Sequence, residues 1–273
     1  MRTLVHLSDL HFGRIDPAVI EPLVERIAGI RPDLVVVSGD LTQRARTAQF
    51  TQVRAFLDRL PSPQIVVPGN HDVPLYAVLS RFLQPSARFR RYITGDLEPF
   101  FADEEIAVVG INTARSLTIK GGRVNAQQME RVCARFAALG PAVTRIIVTH
   151  HPFDLPASHG EKDLVGRARD AMKVFAGCRA DLFLSGHLHV SHSGSTAARY
   201  RISGHSALVV QAGTATSSRA RGESNSFNVV RIDRPRIDVE RLVWHPAERK
   251  FDVSSNERFQ FLSGEWSLLE GSK

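Results

Sequence analysis

The stretch "DLVVVSGD" (residues 33–40) decides how the chain is built. Leu34 to Val37 run without a polar break and stop at Ser38-Gly39-Asp40. An antiparallel strand with one wet face would alternate. An unbroken, β-branched run of this length reads as a strand buried on both faces, as in a parallel sheet covered by helices. The same unit recurs outward from it. "TLVHL" (3–7) precedes it, and "QIVVPG" (64–69), "IAVVGIN" (106–112), "RIIVTH" (145–150) and "DLFLSG" (181–186) follow. Helical patterns lie between. Asp16-Pro17 gives an N-cap with proline at the first helical position, and Val19, Ile20, Leu23, Val24 and Ile27 share one face. Phe50, Val53, Leu57 and Leu60 mark a second helix. A short helix is expected near 75–83, then an irregular basic segment at 87–96. Asn125 and Gln128 form a capping box ahead of the stripe Met129, Val132, Cys133, Phe136 and Leu139. A last helix is expected near 168–177.

After His192 the pattern changes. "ARYRISG" (198–204), "SALVVQAG" (206–213), "SFNVVRID" (226–233) and "IDVERLVWH" (237–245) read as short strands between Gly, Ser and Pro turns. The first two thirds therefore reads as βαβ units and the last third as an antiparallel sheet. One domain is expected over residues 1–246. The polar tail, 247–273, is weakly patterned and is expected to wrap the surface or fray.

Composition narrows the class. At 273 residues and 43% hydrophobic, the chain can bury a full core and is not a disordered segment. Its formal charge of +7 and pI of about 10.0 favour anionic ligands: phosphates, nucleotides, nucleic acid or an acidic membrane surface. Cys133 and Cys178 have no ligand-type or CxxC spacing. They are expected to be reduced, cytosolic and free of a disulfide. The opening "MRTLVHLSDLHFG" does not resemble a signal peptide, and no run is long enough to span a bilayer. A cytoplasmic protein is expected. Peripheral membrane contact and a homodimer are both compatible with the sequence.

The ends of the apolar runs carry the chemistry. They lead into "SDLHFG" with Asp9 and His11, "SGDLT" with Asp40, "PGNHD" with Asn70 and His71, "THHP" with His150 and His151, and "SGHLH" with His187 and His189. In open α/β sheets these carboxyl ends share one edge, where ligands bind. Each cluster alone has an ordinary explanation: Asp9 or Asp40 as a cap or turn, His150 as a bonded strand-end histidine, His-x-His as two solvated rings. Five in order, each at a strand end, do not. Two aspartates, an amide oxygen and several imidazoles suit Mn, Fe, Zn or Co rather than calcium or a thiolate-loving metal. They are too many for one tetrahedral zinc and enough for two metals sharing a carboxylate. Two metals roughly 3.5–4 Å apart are the usual clamp for in-line displacement at phosphorus.

The order Asp-x-His, Gly-Asp, Gly-Asn-His-Asp, His, Gly-His-x-His resembles the calcineurin-like metallophosphoesterase superfamily over roughly residues 3–215. Spacing, the Asn-His-Asp variant and length are most similar to the bacterial class III cyclic-nucleotide phosphodiesterase group. The resemblance implies an α/β fold, a four-layer αββα sandwich with two mixed sheets between helical layers. It implies that Asp9, His11, Asp40 and His189 hold a first metal, and that Asp40 bridges to a second completed by Asn70, His150 and His187. It further implies a hydroxide between the metals as nucleophile, with Asn70 and His71 contacting substrate and His71 protonating the leaving group. Asp72 is expected to orient His71, with a turn cap as the alternative.

The expected activity is hydrolysis of a small anionic phosphodiester. A pyrophosphatase or phosphomonoesterase acting on a nucleotide- or lipid-linked substrate is the alternative. A nuclease or nucleic-acid binder is disfavoured, because the arginines are dispersed and no basic stripe is studded with aromatics. A metal-free scaffold is disfavoured because no ligand position is missing. His151, His159, His192 and His205 remain unassigned. Arg88, Arg90 and Arg91 could guide an anion but read first as a solvated face, and Asn112, Thr113 and Arg115 could line the pocket.

Overall fold

The run at Leu34–Val37 is a strand with helices on one side and a second sheet on the other. The computed structural model describes residues 1–75, 78–156, 159–218 and 223–269. In chain order its elements begin β1 (Arg2–Leu7), α1 (Pro17–Ile30), β2 (Leu34–Val37), α2 (Thr47–Leu57), β3 (Gln64–Val66), α3 (Val78–Leu83) and α4 (Ala87–Tyr92). Then come β4 (Phe100–Ala102), β5 (Ile106–Gly110), α5 (Ala126–Ala137), β6 (Thr144–Val148), α6 (Ala168–Gly177), β7 (Leu182–Ser185) and β8 (His192–Ser195). The chain continues through α7 (Ala197–Tyr200), β9 (Leu208–Gln211), β10 (Ser226–Asp233), β11 (Arg236–His245), β12 (Lys250–Leu262) and β13 (Glu265–Leu268).

The strands form a seven-stranded sheet, β13-β12-β11-β10-β1-β2-β3, and a six-stranded sheet, β4-β5-β6-β7-β9-β8. Both are mixed, with β1-β2-β3 and β5-β6-β7-β9 parallel. Alternation along β1 and β2 explains the layers. Val5, Leu7, Val35 and Val37 face outward onto Val19, Leu23 and Ile27 of α1 and Phe50 and Val53 of α2. Leu4, Leu34 and Val36 face inward and meet Val108, Ile146, Leu184 and Val210 of the second sheet. On its outer face that sheet carries Met129 and Phe136 of α5 and Met172 and Phe175 of α6. This is the expected αββα sandwich. Central β2 is wholly apolar because neither face is wet, and the one buried imidazole of β1, His6, is bonded to Ser38 Oγ at 2.9 Å.

Several local expectations are corrected. Residues 87–92 are helical, because Phe89 is buried against the first helical layer. Residues 198–204 do not form a strand. One helical turn at Ala197–Tyr200 is anchored by Arg199 on Asp154 and by the Tyr200 hydroxyl on the Phe153 carbonyl. "SALVVQAG" supplies β9, which pairs parallel to β7 on one side and antiparallel to β8 on the other, within a mixed sheet. Within 247–273, residues 250–262 form a strand paired on both sides and residues 265–268 the edge strand of the sheet, not a fraying tail. Phe259 and Trp266 enter the core between the sheets. Their polar alternation is blurred by a register shift opposite Arg241/Leu242, so the sequence pattern is weak.

Cys133 and Cys178, expected to be free, form a disulfide with Cα atoms 5.3 Å apart. Packing of α5 beside α6 on one sheet brings them together across 45 residues, a proximity that spacing does not encode. That bond removes the support the cysteines gave to a cytosolic location. Among the described residues, no helix is long and apolar enough to cross a membrane.

Trp266 tests whether the C-terminal strands belong to the core. It is 2% exposed and its backbone N–H donates to Ser206 Oγ at 2.7 Å. Trp266→Ala should lower the unfolding free energy by about 3–5 kcal/mol, as large-to-small core substitutions do. A urea midpoint equal to that of the parent chain would return the segment to the status of a loose tail.

Candidate metal centre

The parallel strands of both sheets end at one edge. Asp9 and His11 follow β1, Asp40 follows β2, Asn70 follows β3, His150 follows β6, and His187 and His189 follow β7. Neighbouring strand ends are laced together: the Asp9 N–H donates to Gly39 O at 3.1 Å, the His11 N–H to Asp40 O at 2.9 Å, and the Gly186 N–H to His150 O at 3.1 Å. The backbone there is left-handed at five of the seven expected ligands: Asp9 (φ 53°), His11 (50°), Asp40 (51°), His187 (77°) and His189 (60°). Non-glycine residues adopt this conformation at a cost of order 1–3 kcal/mol each, and such strain concentrates at functional sites. Two glycines permit the close approach. A Cβ on Gly69 would stand 2.1 Å from Asp40 Oδ1, and one on Gly186 would stand 1.8 Å from Ser8 Oγ.

Two groups of side chains result. The ligand atoms of Asp9, His11, Asp40 and His189 all lie within 4.8 Å of one another, and all four residues are buried. His189 Nε2 is 3.4 Å from Asp9 Oδ1, and His11 Nε2 is 3.6 Å from the same oxygen. Beside them, His150 Nε2 lies 3.2 Å from Asn70 Oδ1, 3.3 Å from Asp40 Oδ1 and 3.3 Å from His187 Nδ1. Asp40 belongs to both neighbourhoods, since its Oδ2 is 3.8 Å from His11 Nε2. Thus His187 and His189, two residues apart, join different groups.

Their electrostatics follow from burial and crowding. Burial alone would raise Asp40, but His150 outweighs it and holds the carboxyl well below its usual range. Asp9 is likewise held low by His189 against the effect of burial. Burial would lower His150, yet Asp40 and Asp9 push it up to about 9. Burial and the charge on His150 press His187 down to about 4. One imidazole therefore carries the proton beside two carboxylates, and its neighbour stays neutral.

The residues can accommodate metal. Asp9 Oδ1 is buried with no hydrogen-bond partner among the described residues, although imidazole nitrogens crowd around it. A buried anionic oxygen so placed suits a cation. Carboxylate, amide and imidazole donors match a borderline transition metal.

The surrounding residues revise some expectations. His71 lines a cavity of about 260 Å³ together with Asn70, Gln43, Arg44 and Lys120. Its Nδ1–H donates to the Gln43 carbonyl at 2.9 Å. Asp72, expected to orient His71, does not reach it. Its oxygens accept from the N–H groups of Gly69, Leu41 and Thr42 and from Thr42 Oγ1, at 2.9–3.1 Å. Burial and the charge on Asp40 raise Asp72 to about 6 despite those donors. It caps the turn, and a backbone carbonyl does the orienting.

His151 sits near His150 and His187, but both of its nitrogens are taken, by Thr113 Oγ1 and Lys120 O, each at 2.8 Å. Sequence reasoning missed the loop that supplies this carbonyl. The Asn70 amide donates to Ile119 O at 3.2 Å, which turns Asn70 Oδ1 toward His150. Buried Arg81 holds the loop by donating to the carbonyls of Ser116 (2.7 Å), Thr118 (2.6 Å), Arg115 (3.4 Å) and Pro74 (3.0 Å). Main-chain acceptors have no side-chain signature, so no spacing could have found them. Arg88 and Arg90 bind the carbonyls of Ala45 and Gly95, Arg91 lies over the Tyr92 ring, and Asn112 caps its own turn at Ala114. His159, His192 and His205 lie outside both groups.

A family model described as calcineurin-like phosphoesterase matches residues 2–191. A cAMP/cGMP dual specificity phosphodiesterase of Mycobacterium tuberculosis is 26% identical over 211 residues, covering 69% of this chain and 62% of that protein. A glycerophosphodiester phosphodiesterase of Enterobacter lignolyticus is 39% identical over 80 residues, 25% of this chain and 29% of that protein. Each match spans less than two thirds of the relative's own length. The structure of a dimetal phosphatase from Danio rerio superposes with a TM-score of 0.65 at 13% identity, covering 92% of this chain and 98% of that one, a likeness of fold. The family match takes in every expected ligand, and by it the chain belongs to the calcineurin-like phosphoesterase family.

Proposed function

We propose that the chain is a dinuclear metal-dependent phosphodiesterase acting on small phosphodiesters, with cyclic nucleotides as the first class to test. Asp40 carries this reading. One of its oxygens approaches His150 and the other His11, so a single carboxylate is shared between two sets of ligands. Asp9, His11 and His189 would hold one metal, Asn70, His150 and His187 the other, and Asp40 both. Metals of the Mn, Fe, Zn or Co type supply an acidified water and draw charge from the phosphoryl oxygens. The chain supplies the rest. His71 keeps Nδ1–H on the Gln43 carbonyl, which leaves Nε2 to donate to a phosphoryl or leaving-group oxygen when the ring is protonated. Asn70 is held in register by Ile119 O. The phosphodiesterase names of the two relatives favour a diester over a monoester.

A panel on metal-reconstituted protein tests the substrate class: cyclic nucleotides, bis(p-nitrophenyl) phosphate, p-nitrophenyl phosphate and a nucleoside-diphosphate lipid. Faster turnover of the monoester or the diphosphate than of any diester overturns the diester reading.

Metal content tests the centre. Elemental analysis should approach two transition metals per chain and fall in Asp40→Ala. Full activity with one tightly bound metal, unchanged by adding more, defeats the dinuclear reading.

Loading should also release protons. His150, pushed up to about 9, is protonated at neutral pH in the metal-free chain, and a ligand imidazole must be neutral. Metal affinity should therefore weaken as pH falls below about 9. Calorimetry in buffers of different ionisation enthalpy measures the release, and none at neutral pH would mean that His150 does not carry a proton that metal displaces.

His71→Ala should keep both metals and lose turnover by ~10²–10⁴-fold, the usual range for a general acid. The loss should be smaller for a leaving group that departs as a stable anion. Asn70→Ala should instead lose metal from one site and recover partly in excess metal. Metal loss in His71→Ala, or equal slowing of good and poor leaving groups, rules out the acid role.

A further inference from the structure

The segments flanking the metal cleft carry charge of one sign. Residues 73–95 hold Arg81, Arg88, Arg90 and Arg91, residues 106–129 hold Arg115, Lys120 and Arg123, and neither contains an aspartate or glutamate. Ordinary protein surfaces intersperse both signs. The same segments hold five of the eleven exposed large apolar side chains among the described residues: Leu79, Phe82 and Leu83 on α3, and Leu117 and Ile119 in the loop after β5, all 54–75% exposed. Buried Arg81 ties the two apolar sets together, because it joins α3 to the carbonyls of Ser116 and Thr118 in the loop that carries Leu117 and Ile119. The patch adjoins the centre, since Leu75, Ile119 and Lys120 line the cavity that also holds Asn70 and His71.

Clustered apolar exposure on a folded chain marks an interaction surface, and the charge selects the occupant. A second copy of the chain would bring like charges together across the contact, which is costly. Single-stranded nucleic acid would favour stacking aromatics, whereas four of the five apolar side chains are aliphatic. An anionic lipid surface meets both features at once: phosphates receive the exposed Arg90, Arg91 and Lys120, and the headgroup–acyl boundary receives the leucines.

We propose that this face docks on an anionic lipid bilayer, with α3 and the 115–120 loop at the headgroup boundary and the metal cleft beside the contact. The docking does not depend on the phosphodiesterase reading, so its test is binding.

The full chain is sedimented with vesicles containing phosphatidylglycerol and with vesicles of phosphatidylcholine alone. It should pellet with the first, stay in solution with the second, and release as salt rises. R90A/R91A and L79S/L83S should each weaken partition roughly tenfold or more, on the scale of basic residues at an anionic surface. Both should keep the parent's thermal melt and its turnover of soluble bis(p-nitrophenyl) phosphate. If L79S/L83S loses its melting transition, L117S carries the apolar arm. The proposal is overturned if the parent stays in solution with anionic vesicles, binds phosphatidylcholine equally, or binds unchanged in both variants. It is equally overturned if these substitutions instead dissolve a dimer in sedimentation velocity, or if a single-stranded oligonucleotide binds the same residues more tightly than vesicles do.

Discussion

The contact between Asp40 and His150 joins the two halves of the molecule. Asp40 follows a strand of the seven-stranded sheet and His150 a strand of the six-stranded sheet, and their charged atoms stand 3.3 Å apart in a fully buried position. Removing such a pair from water is expensive, and its mutual attraction offsets the cost only with good geometry and further hydrogen bonds. Both partners have them. His150 Nδ1 donates to Ser38 O at 2.8 Å, and Asp40 Oδ1 accepts from the His71 N–H at 2.8 Å. Around this pair, five left-handed residues add strain. The apolar interior between the sheets keeps the strand ends from relaxing, so the same packing that builds the sandwich holds the candidate ligand set in place.

That arrangement explains what was legible in the sequence. Strands covered on both faces leave unbroken apolar runs, and a ligand just past such a run is exposed by its type alone. Asp9, Asp40, Asn70, His150, His187 and His189 could be read for this reason, and so could the Asn125–Gln128 box that opens α5. Where the physics runs through the main chain or through distant packing, the letters are silent. The Gln43 carbonyl holds His71, whereas the more suggestive Asp72 caps a turn. Thr113 and Lys120 O occupy the ring of His151. Within 250–262 a register shift sends Phe251 to the outer helical layer and Phe259 to the interior between the sheets, so no single alternation runs through the strand. The pairing of Cys133 with Cys178 arises from two helices lying side by side, and no spacing rule contains it.

The candidate centre divides between residues set by the sheets and one set by a loop. Candidate ligands on β-strand ends are held by the sheets. Asn70 is different: its amide hangs between a ligand direction and the Ile119 carbonyl, and its register depends on a loop whose side chains face solvent.

Arg81 sets the terms on which that loop can change. A buried guanidinium that meets four carbonyls among the described residues is a charge whose only counterpart there is main-chain geometry. Side chains at 117 and 119 can be exchanged freely as far as Arg81 is concerned, because it reads none of them. The number of residues cannot. One insertion between Arg115 and Lys120 would shift the carbonyls out of step, bare the guanidinium, and turn Asn70 and His151 away together. For Arg81 the loop is therefore tolerant in composition and intolerant in length, so its outer side chains can answer to whatever lies outside while the centre beneath it stays constant.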